Sequence, residues 1–175
     1  MKWLFGLLLV AGALVAVAGT IFIFFGREQT WRTIAGDPDL GPFDLTAPER
    51  SGRPNDALLC TPGLCDGAAV DAELPVYAMA PGDLIDALRQ AIEAQPDRKR
   101  RVDDGSDAAA LRYVTWTETM RFPDTNQFLA VDLGEGRTGL IAYARAQLGY
   151  SDAGNNRARL QRWTGAFPAA NPSGD

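Results

Sequence analysis

The N-terminal segment is the feature that most limits how this chain can fold. From Trp3 to Gly26 the sequence contains no charged residue. A helix over this run, at about 1.5 Å per residue, would extend about 36 Å, which is enough to cross a hydrocarbon core of about 30 Å. A helix also satisfies its own backbone hydrogen bonds in lipid. The sequence therefore predicts a transmembrane anchor over residues 1–26, which contacts the membrane through residues 3–26.

Two properties of this anchor stay open. Ala16-Val17-Ala18 has the pattern of a signal-peptidase site, so the segment is either a signal anchor or a signal peptide that is cleaved after Ala18. The apolar run continues beyond that site, which favours the uncleaved anchor. Positive charges flank both ends of the run, so the charge rule does not decide its orientation. Its position at the N-terminus and the two cysteines favour a single-pass protein of a bacterial inner membrane with its C-terminal domain in the periplasm. The alternative leaves this domain in the cytoplasm.

The composition excludes several classes of function. The 175 residues include no histidine, so the chain cannot build a Ser-His-Asp or Cys-His catalytic set or a histidine metal site. The net charge of −5 disfavours nonspecific binding to nucleic acid, because phosphates would be repelled. We expect no metal, no cofactor and no nucleic-acid partner.

The segment that follows the anchor is interrupted every few residues by turn-forming residues. Gly36-Asp37-Pro38, Gly41-Pro42, Ala47-Pro48 and Gly52-Arg53-Pro54 predict loop structure. We interpret residues 27–57 as a Pro/Gly-rich tether that either lies along the domain or extends from it. Its few apolar side chains favour partial docking.

The two cysteines of the chain, Cys60 and Cys65, enclose a Pro-Gly turn. Such a turn can bring two Cα atoms within the ~4.4–6.8 Å that a disulfide needs. A zinc site would require more ligands than two cysteines supply. The spacing predicts a disulfide in an oxidising compartment, and the alternative is a pair of reduced, partly buried thiols in the cytoplasm.

The remaining sequence predicts an α+β domain over residues 58–167, followed by a disordered tail over residues 168–175. Pro81 and the apolar stripe of Leu84, Ile85, Leu88 and Ile92 predict a helix that ends at Gln95-Pro96. The other elements form an antiparallel sheet in the order β-α-β-β-β-β-α, packed by two helices. The predicted strands are residues 76–79, 98–103 (at an edge), 111–118, 127–133 and 138–147, and the last helix begins near Ser151-Asp152.

Several short motifs in this domain resemble one known family. They are Phe122-Pro123-Asp124, Arg145, the string from Gly149-Tyr150-Ser151-Asp152 to Arg159, Trp163, and the Cys60–Cys65 loop. This pattern resembles the domain-of-unknown-function family numbered 1499 over residues 58–167. The family has Ser on both sides of the strand arginine, where this chain has Ala144 and Ala146. The resemblance implies a fold unit and no reaction, because the family has no established activity.

The polar residues of these motifs form the candidate site. Asp124 follows a proline, Arg145 lies on a strand, and Ser151 and Asp152 lie at a helix start, so the order of elements allows them to meet at one end of the sheet. The full set of candidate ligand-binding residues is Asp124, Arg145, Ser151, Asp152, Asn156, Arg157 and Arg159. Two interpretations remain: an Arg–Asp network that locks loops to a helix, with Asp124 or Asp152 as the partner of Arg145, or a pocket for an anionic ligand.

No complete catalytic set is visible, so we assign no catalytic residue. We expect a membrane-anchored, non-enzymatic domain that binds an anionic small molecule or an envelope protein. One alternative is an envelope hydrolase or transferase with Asp124 or Asp152 as general acid or base. Another is a structural subunit of a membrane assembly.

Overall fold

The computed structural model of the chain describes residues 2–24 and 26–166, so the expected tail over residues 168–175 lies outside the described residues. The elements are α1 (Lys2–Phe24), α2 (Arg27–Ala35), β1 (Asp56–Cys60), β2 (Ala72–Glu73), α3 (Pro81–Glu93), β3 (Lys99–Arg101), β4 (Ala110–Trp116), β5 (Pro123–Gly134), β6 (Arg137–Ala146) and α4 (Asn155–Thr164). The expected α+β class is confirmed.

Helix α1 covers most of the uncharged N-terminal run. It is long and apolar enough to cross a bilayer, with a mean hydropathy of 2.7. None of its residues is buried against the rest of the chain. An apolar helix with all of its faces outward is typical of a segment that lies in lipid.

The six strands form one sheet in the order β2-β1-β6-β5-β4-β3. The pairs β1–β6, β6–β5, β5–β4 and β4–β3 are antiparallel, and the short pair β1–β2 is parallel. The sheet is therefore mixed, where the sequence predicts only antiparallel pairs. The basic strand β3 lies at an edge, as expected from its Lys and Arg residues.

The order of elements departs from the expected one before α3. Residues 76–79 form no strand but a single bridge from Tyr77 to Thr138. β1 lies instead across the boundary at residue 57, so that it begins inside the expected tether, and all five of its residues are buried. A strand that is covered on both faces has no polar–apolar alternation, which is why its sequence resembles a loop with a short apolar run.

Helices α3 and α4 pack on one face of the sheet, which we call the helix face. Its core contains Leu140, Ala142 and Ala144 of β6 and Phe128 of β5, together with the buried stripe of α3. Trp163 of α4 is completely buried in this core. Burial of this apolar face accounts for the position of both helices.

The opposite face, which we call the loop face, is covered by the segment between α2 and β1. Phe43 exchanges hydrogen bonds of 2.8 Å with the Gln127 side chain through both its N–H and its carbonyl. Leu45 is buried there beside Tyr143 and Ile141. Residues 36–55 thus lie along the domain, and the expected docking is extensive.

Helix α2 lies in the part of the chain where the sequence predicts only a tether. The Trp31 indole N–H donates to the Met120 carbonyl at 2.6 Å, and its ring lies 4.9 Å from that of Phe122. Gln147 donates to the Ala35 carbonyl at the C-terminal end of the helix. These contacts fix the middle and the C-terminal end of α2 to the domain.

The predicted disulfide is confirmed. Cys60 at the end of β1 is bonded to Cys65, with the two Cα atoms 6.3 Å apart. Both cysteines are buried in the core of the loop face.

Candidate functional site

A buried ion pair links the sheet to α4. Asp124 begins the regular part of β5 on the helix face, and its carboxylate accepts a 2.7 Å hydrogen bond from the Arg159 guanidinium. The two side chains are only 4% and 8% exposed. A guanidinium removed from water needs a carboxylate and further acceptors around it.

Two asparagines supply those acceptors. Arg159 Nη1 donates to Asn156 Oδ1 at 2.7 Å and to Asn126 Oδ1 at 3.2 Å. The Asn126 amide donates in turn to Thr115 Oγ1 at 3.1 Å and to the Asp124 carbonyl. Asn126 and Asn156 are completely buried. A buried network that is satisfied in this way fixes one arrangement of helix and sheet.

Burial raises the pKa of Asp124 above its ordinary value of 3.8, and the adjacent charge and hydrogen bonds of Arg159 offset part of that increase. The more distant Asp152 carboxylate adds to the increase. Desolvation penalises the charged form of a carboxyl, whereas a neighbouring cation favours it.

The structure does not bring Arg145 to this ion pair. Arg145 lies on the loop face of β6, together with Ile141 and Tyr143, and Asp124 lies on the helix face opposite Ala146. Within residues 2–24 and 26–166 the Arg145 side chain forms no ion pair within 4 Å. The expected pairing of Arg145 with Asp124 or Asp152 is therefore wrong, because neighbouring positions on a strand point to opposite faces.

Ser151 and Asp152 shape the start of α4. Asp152 accepts the backbone N–H of Gly154 at 3.0 Å and of Asn156 at 2.8 Å, and Ser151 Oγ accepts the N–H of Ala153 at 3.1 Å. The N–H groups of Asn155 and Asn156, which open the helix, are thus bound by the carbonyl and the carboxylate of Asp152. The helix start therefore offers few free donors to a ligand. Arg157, on the exposed side of α4, points away from the buried network.

An open cleft of about 760 Å³ lies beside the ion pair, at the end of the sheet where β4 leads into β5. Arg159 forms part of its floor. The wall is rich in arginine, with four guanidinium groups against two carboxylates. The lining includes the four arginines, one tryptophan and one asparagine: Arg98, Trp116, Arg121, Asn155, Arg159 and Arg162.

The four arginines differ in whether a carboxylate already pairs with the guanidinium group. Arg159 is paired with Asp124, and Arg162 binds Asp97 through both carboxylate oxygens at 2.6 and 2.8 Å. Asp97 also accepts the Trp163 indole N–H at 2.9 Å. These two arginines hold the fold together.

Arg98 and Arg121 keep binding capacity. Arg98 pairs with Glu28 of α2, its Nε lying 2.5 Å from the carboxylate, but its side chain is 55% exposed, and a guanidinium has five N–H donors. In the part of the chain that the structure describes, Arg121 has no carboxylate within 4 Å, and its Nη1 donates only to the Thr117 carbonyl at 3.4 Å. Arg121 also has a positive φ of 59°, a conformation that non-glycine residues rarely adopt. A strained residue that presents an uncompensated charge to a cleft is a candidate for function.

The sequence alone missed Arg98, Arg121, Asn155 and Arg162 as site residues. They come from three segments that are distant along the chain, and none lies in a spacing that predicts a joint site. Arg121 immediately precedes the Phe122-Pro123-Asp124 motif, and that proximity is the one local signal that pointed towards it. Of the expected set, only Arg159 lines the cleft.

No cluster of three or more Asp, Glu or Cys side chains that could hold a metal ion occurs within the described residues. The chemistry that the cleft offers is therefore that of guanidinium and amide donors. Such groups bind anions, and arginine in particular forms paired hydrogen bonds with phosphate and carboxylate.

Comparison with known proteins gives one match. The family model described as "Protein of unknown function (DUF1499)" matches residues 66–167, which is more than half of the chain. The chain belongs to this family. The DUF1499 match covers α3, α4 and every strand except β1, so it includes the Asp124–Arg159 pair and most of the cleft. No curated protein and no solved structure matches the chain.

Proposed function

We propose that this DUF1499 protein is a membrane-anchored binding module, and that its domain binds an anionic ligand in the arginine-lined cleft. The observation that carries the proposal is Arg121, a guanidinium that has no carboxylate partner among residues 2–24 and 26–166 and lies on the wall of a cleft of about 760 Å³. Arg98 supplies further donors, because its side chain is 55% exposed although it pairs with Glu28. The Asn155 amide, one N–H of which donates to the Asp152 carbonyl at 2.6 Å, adds its second N–H, so the donors come from three segments of the chain.

The carboxylates that acid–base catalysis would use are already engaged. Asp124 is paired with Arg159, and Asp152 accepts two backbone N–H groups of α4. Both groups stabilise the fold in these positions. This arrangement favours a non-enzymatic role over a hydrolase or transferase that uses either aspartate.

The same proposal includes the location of the domain. Helix α1 is the anchor that remains in a bacterial inner membrane, and the domain faces the periplasm. The Cys60–Cys65 disulfide supports this side of the membrane, because disulfides persist in oxidising compartments. Alkaline phosphatase fused after α4 should be active in cells, and green fluorescent protein at the same position should stay dark. The reverse pattern would place the domain in the cytoplasm.

Binding is tested with sn-glycerol 3-phosphate and the full-length protein in dodecyl maltoside micelles, which contain no phosphate. Isothermal titration calorimetry should give a dissociation constant that Arg121→Gln increases about tenfold, since a charge-assisted hydrogen bond contributes about 1.5–3 kcal/mol. Arg137→Gln is the matched control. It removes the same charge at the start of β6, beyond the far end of β5 and roughly 37 Å away, where Arg137 pairs with Glu135 in solvent. No binding, or equal affinity of the two variants, would contradict the proposal.

A further inference from the structure

A second cavity adjoins the cleft at the point where the anchor meets the domain. Its volume is about 550 Å³. It shares Arg98 and Arg121 with the cleft, and its other walls come from the end of α1 and the start of α2. The lining residues are Ile23, Gly26, Arg27, Glu28, Gln29, Arg98 and Arg121. The two arginines with free binding capacity thus lie between the cleft and the anchor.

The contacts of Trp31 hold this junction together. Its ring lies 5.6 Å from that of Phe22 in α1 and 4.9 Å from that of Phe122 in the domain. Its indole N–H donates to the Met120 carbonyl. Arg27 also donates to the Thr119 carbonyl of the same turn between β4 and β5. This turn is therefore fixed beside the C-terminal end of α1 by four contacts.

The contacts of Trp31 with α1 and with the turn before β5 determine how far the cleft lies from the membrane surface. When α1 spans the bilayer, its C-terminal end lies at the boundary of the hydrocarbon core, where aromatic and arginine side chains are favoured. The turn from Glu118 to Phe122 then lies at the level of the lipid headgroups. Arg98 and Arg121 lie at the same level, and the second cavity opens between them and the lipid.

We infer that the anion bound between Arg98 and Arg121 is the phosphate ester of a membrane phospholipid, which enters from the bilayer that holds α1. This inference rests on the proposed function and names its ligand. The shared chemistry is a phosphate ester, which a soluble molecule could also supply. Guanidinium groups match phosphate oxygens in charge and geometry. A lipid source accounts for the position of these donors between the cleft and the anchor.

The test is native mass spectrometry of the full-length protein in detergent, with dioleoyl phosphatidylglycerol or sn-glycerol 3-phosphate as the probe. Wild type should retain phosphatidylglycerol with an apparent affinity at least fivefold higher than that of Arg121→Gln. The Arg137→Gln control should retain it like wild type. Glycerol 3-phosphate should displace the lipid from wild type, because the two compete for the same arginines.

The outcomes separate the inference from the function on which it rests. Glycerol 3-phosphate binding that depends on Arg121, without retention of phosphatidylglycerol, would overturn the lipid source and leave the proposed function in place. Equal retention of phosphatidylglycerol by all three proteins would also overturn the inference, since lipid would then coat α1 without using the cleft. Failure of both probes to bind would overturn the proposed function itself.

Discussion

The Asp124 carboxylate and the Arg159 guanidinium lie 2.7 Å apart between the sheet and α4, and both side chains are more than nine-tenths buried. Arg159 forms part of the floor of the cleft, whereas Arg121 on its wall has no carboxylate within 4 Å among the described residues and can bind a ligand. The two arginines therefore have different roles, and substitutions should separate stability from ligand affinity.

Asp124→Asn should lower the free energy of unfolding by about 3–5 kcal/mol, because it leaves a buried guanidinium without its counter-charge. Denaturation of the full-length protein by guanidinium chloride, followed by near-UV circular dichroism, measures this loss. Asp86→Asn is the control, since Asp86 pairs with Arg89 on the exposed side of α3, and an exposed pair contributes at most about 1 kcal/mol. Equal losses of unfolding free energy in the two variants would show that the buried pair stabilises the fold no more than an exposed pair does.

Asp56 should make the stability of the domain depend on pH. Burial by itself would raise its pKa, but hydrogen bonds from Arg50, the Ser51 N–H and Tyr143 outweigh burial and hold the pKa below 3.8. A carboxyl with a lowered pKa in the folded state stabilises the fold above its unfolded pKa. That contribution is lost as the pH falls through the folded pKa.

Asp56→Asn should therefore cost about 2 kcal/mol at pH 7, a cost typical of hydrogen bonds to charged groups. The difference from wild type should shrink as the pH falls below 3.8, and urea denaturation at several pH values measures it. Tyr143→Phe removes one of the hydrogen bonds to Asp56 and should give an intermediate pH dependence. A difference that stays constant down to pH 2 would contradict this assignment.

Reduction of the Cys60–Cys65 disulfide should lower the free energy of unfolding by about 2 kcal/mol, since the closed loop is short and constrains the unfolded chain only modestly. Unfolding with and without dithiothreitol measures the effect. Cys60→Ala combined with Cys65→Ala is the control and should not respond to the reductant. A wild-type protein that is equally insensitive would show that the bond does not stabilise the domain.

Trp31→Ala should release α2 from the domain, because it removes both the contact with the Phe122 ring and the hydrogen bond to Met120. Trypsin should then cleave after Arg27 and Arg32 about tenfold faster than in wild type, since proteolysis follows local opening. Trp3→Ala, which changes an exposed residue near the start of α1, should leave the rate unchanged. An unchanged rate in Trp31→Ala would show that the contacts of Trp31 do not hold α2 on the domain.

The parts of the fold that could be predicted have strong local signals. Pro81 and a helical apolar stripe predict α3, and Gly134-Glu135-Gly136 predicts the hairpin between β5 and β6. The alternation in β6 also places Ile141, Tyr143 and Arg145 on one face correctly. The alternation does not indicate which face of β6 the helices cover, because the residues of both faces are apolar and buried.

The candidate site could be predicted only in part for the same reason. Asp124 and Arg159 were both expected in it, but their pairing depends on which face of β5 meets α4. Helix α2 has few apolar residues, so its docking depends on Trp31 and leaves no periodic pattern in the sequence. Arg98 and Arg121 meet because β3 pairs with β4, which places the residue before β3 beside the turn that follows β4.

The central claim is that the Arg121 guanidinium binds a phosphate-bearing ligand, and nuclear magnetic resonance of the arginine side chains tests it most directly. The full-length protein, labelled with ¹⁵N in phosphate-free dodecyl maltoside micelles, is titrated with sn-glycerol 3-phosphate. The Nε–H signal of Arg121, assigned by its loss in Arg121→Gln, should shift and saturate, and the Arg137 signal should stay in place. An Arg121 signal that does not move, or that moves no more than that of Arg137, would contradict the account.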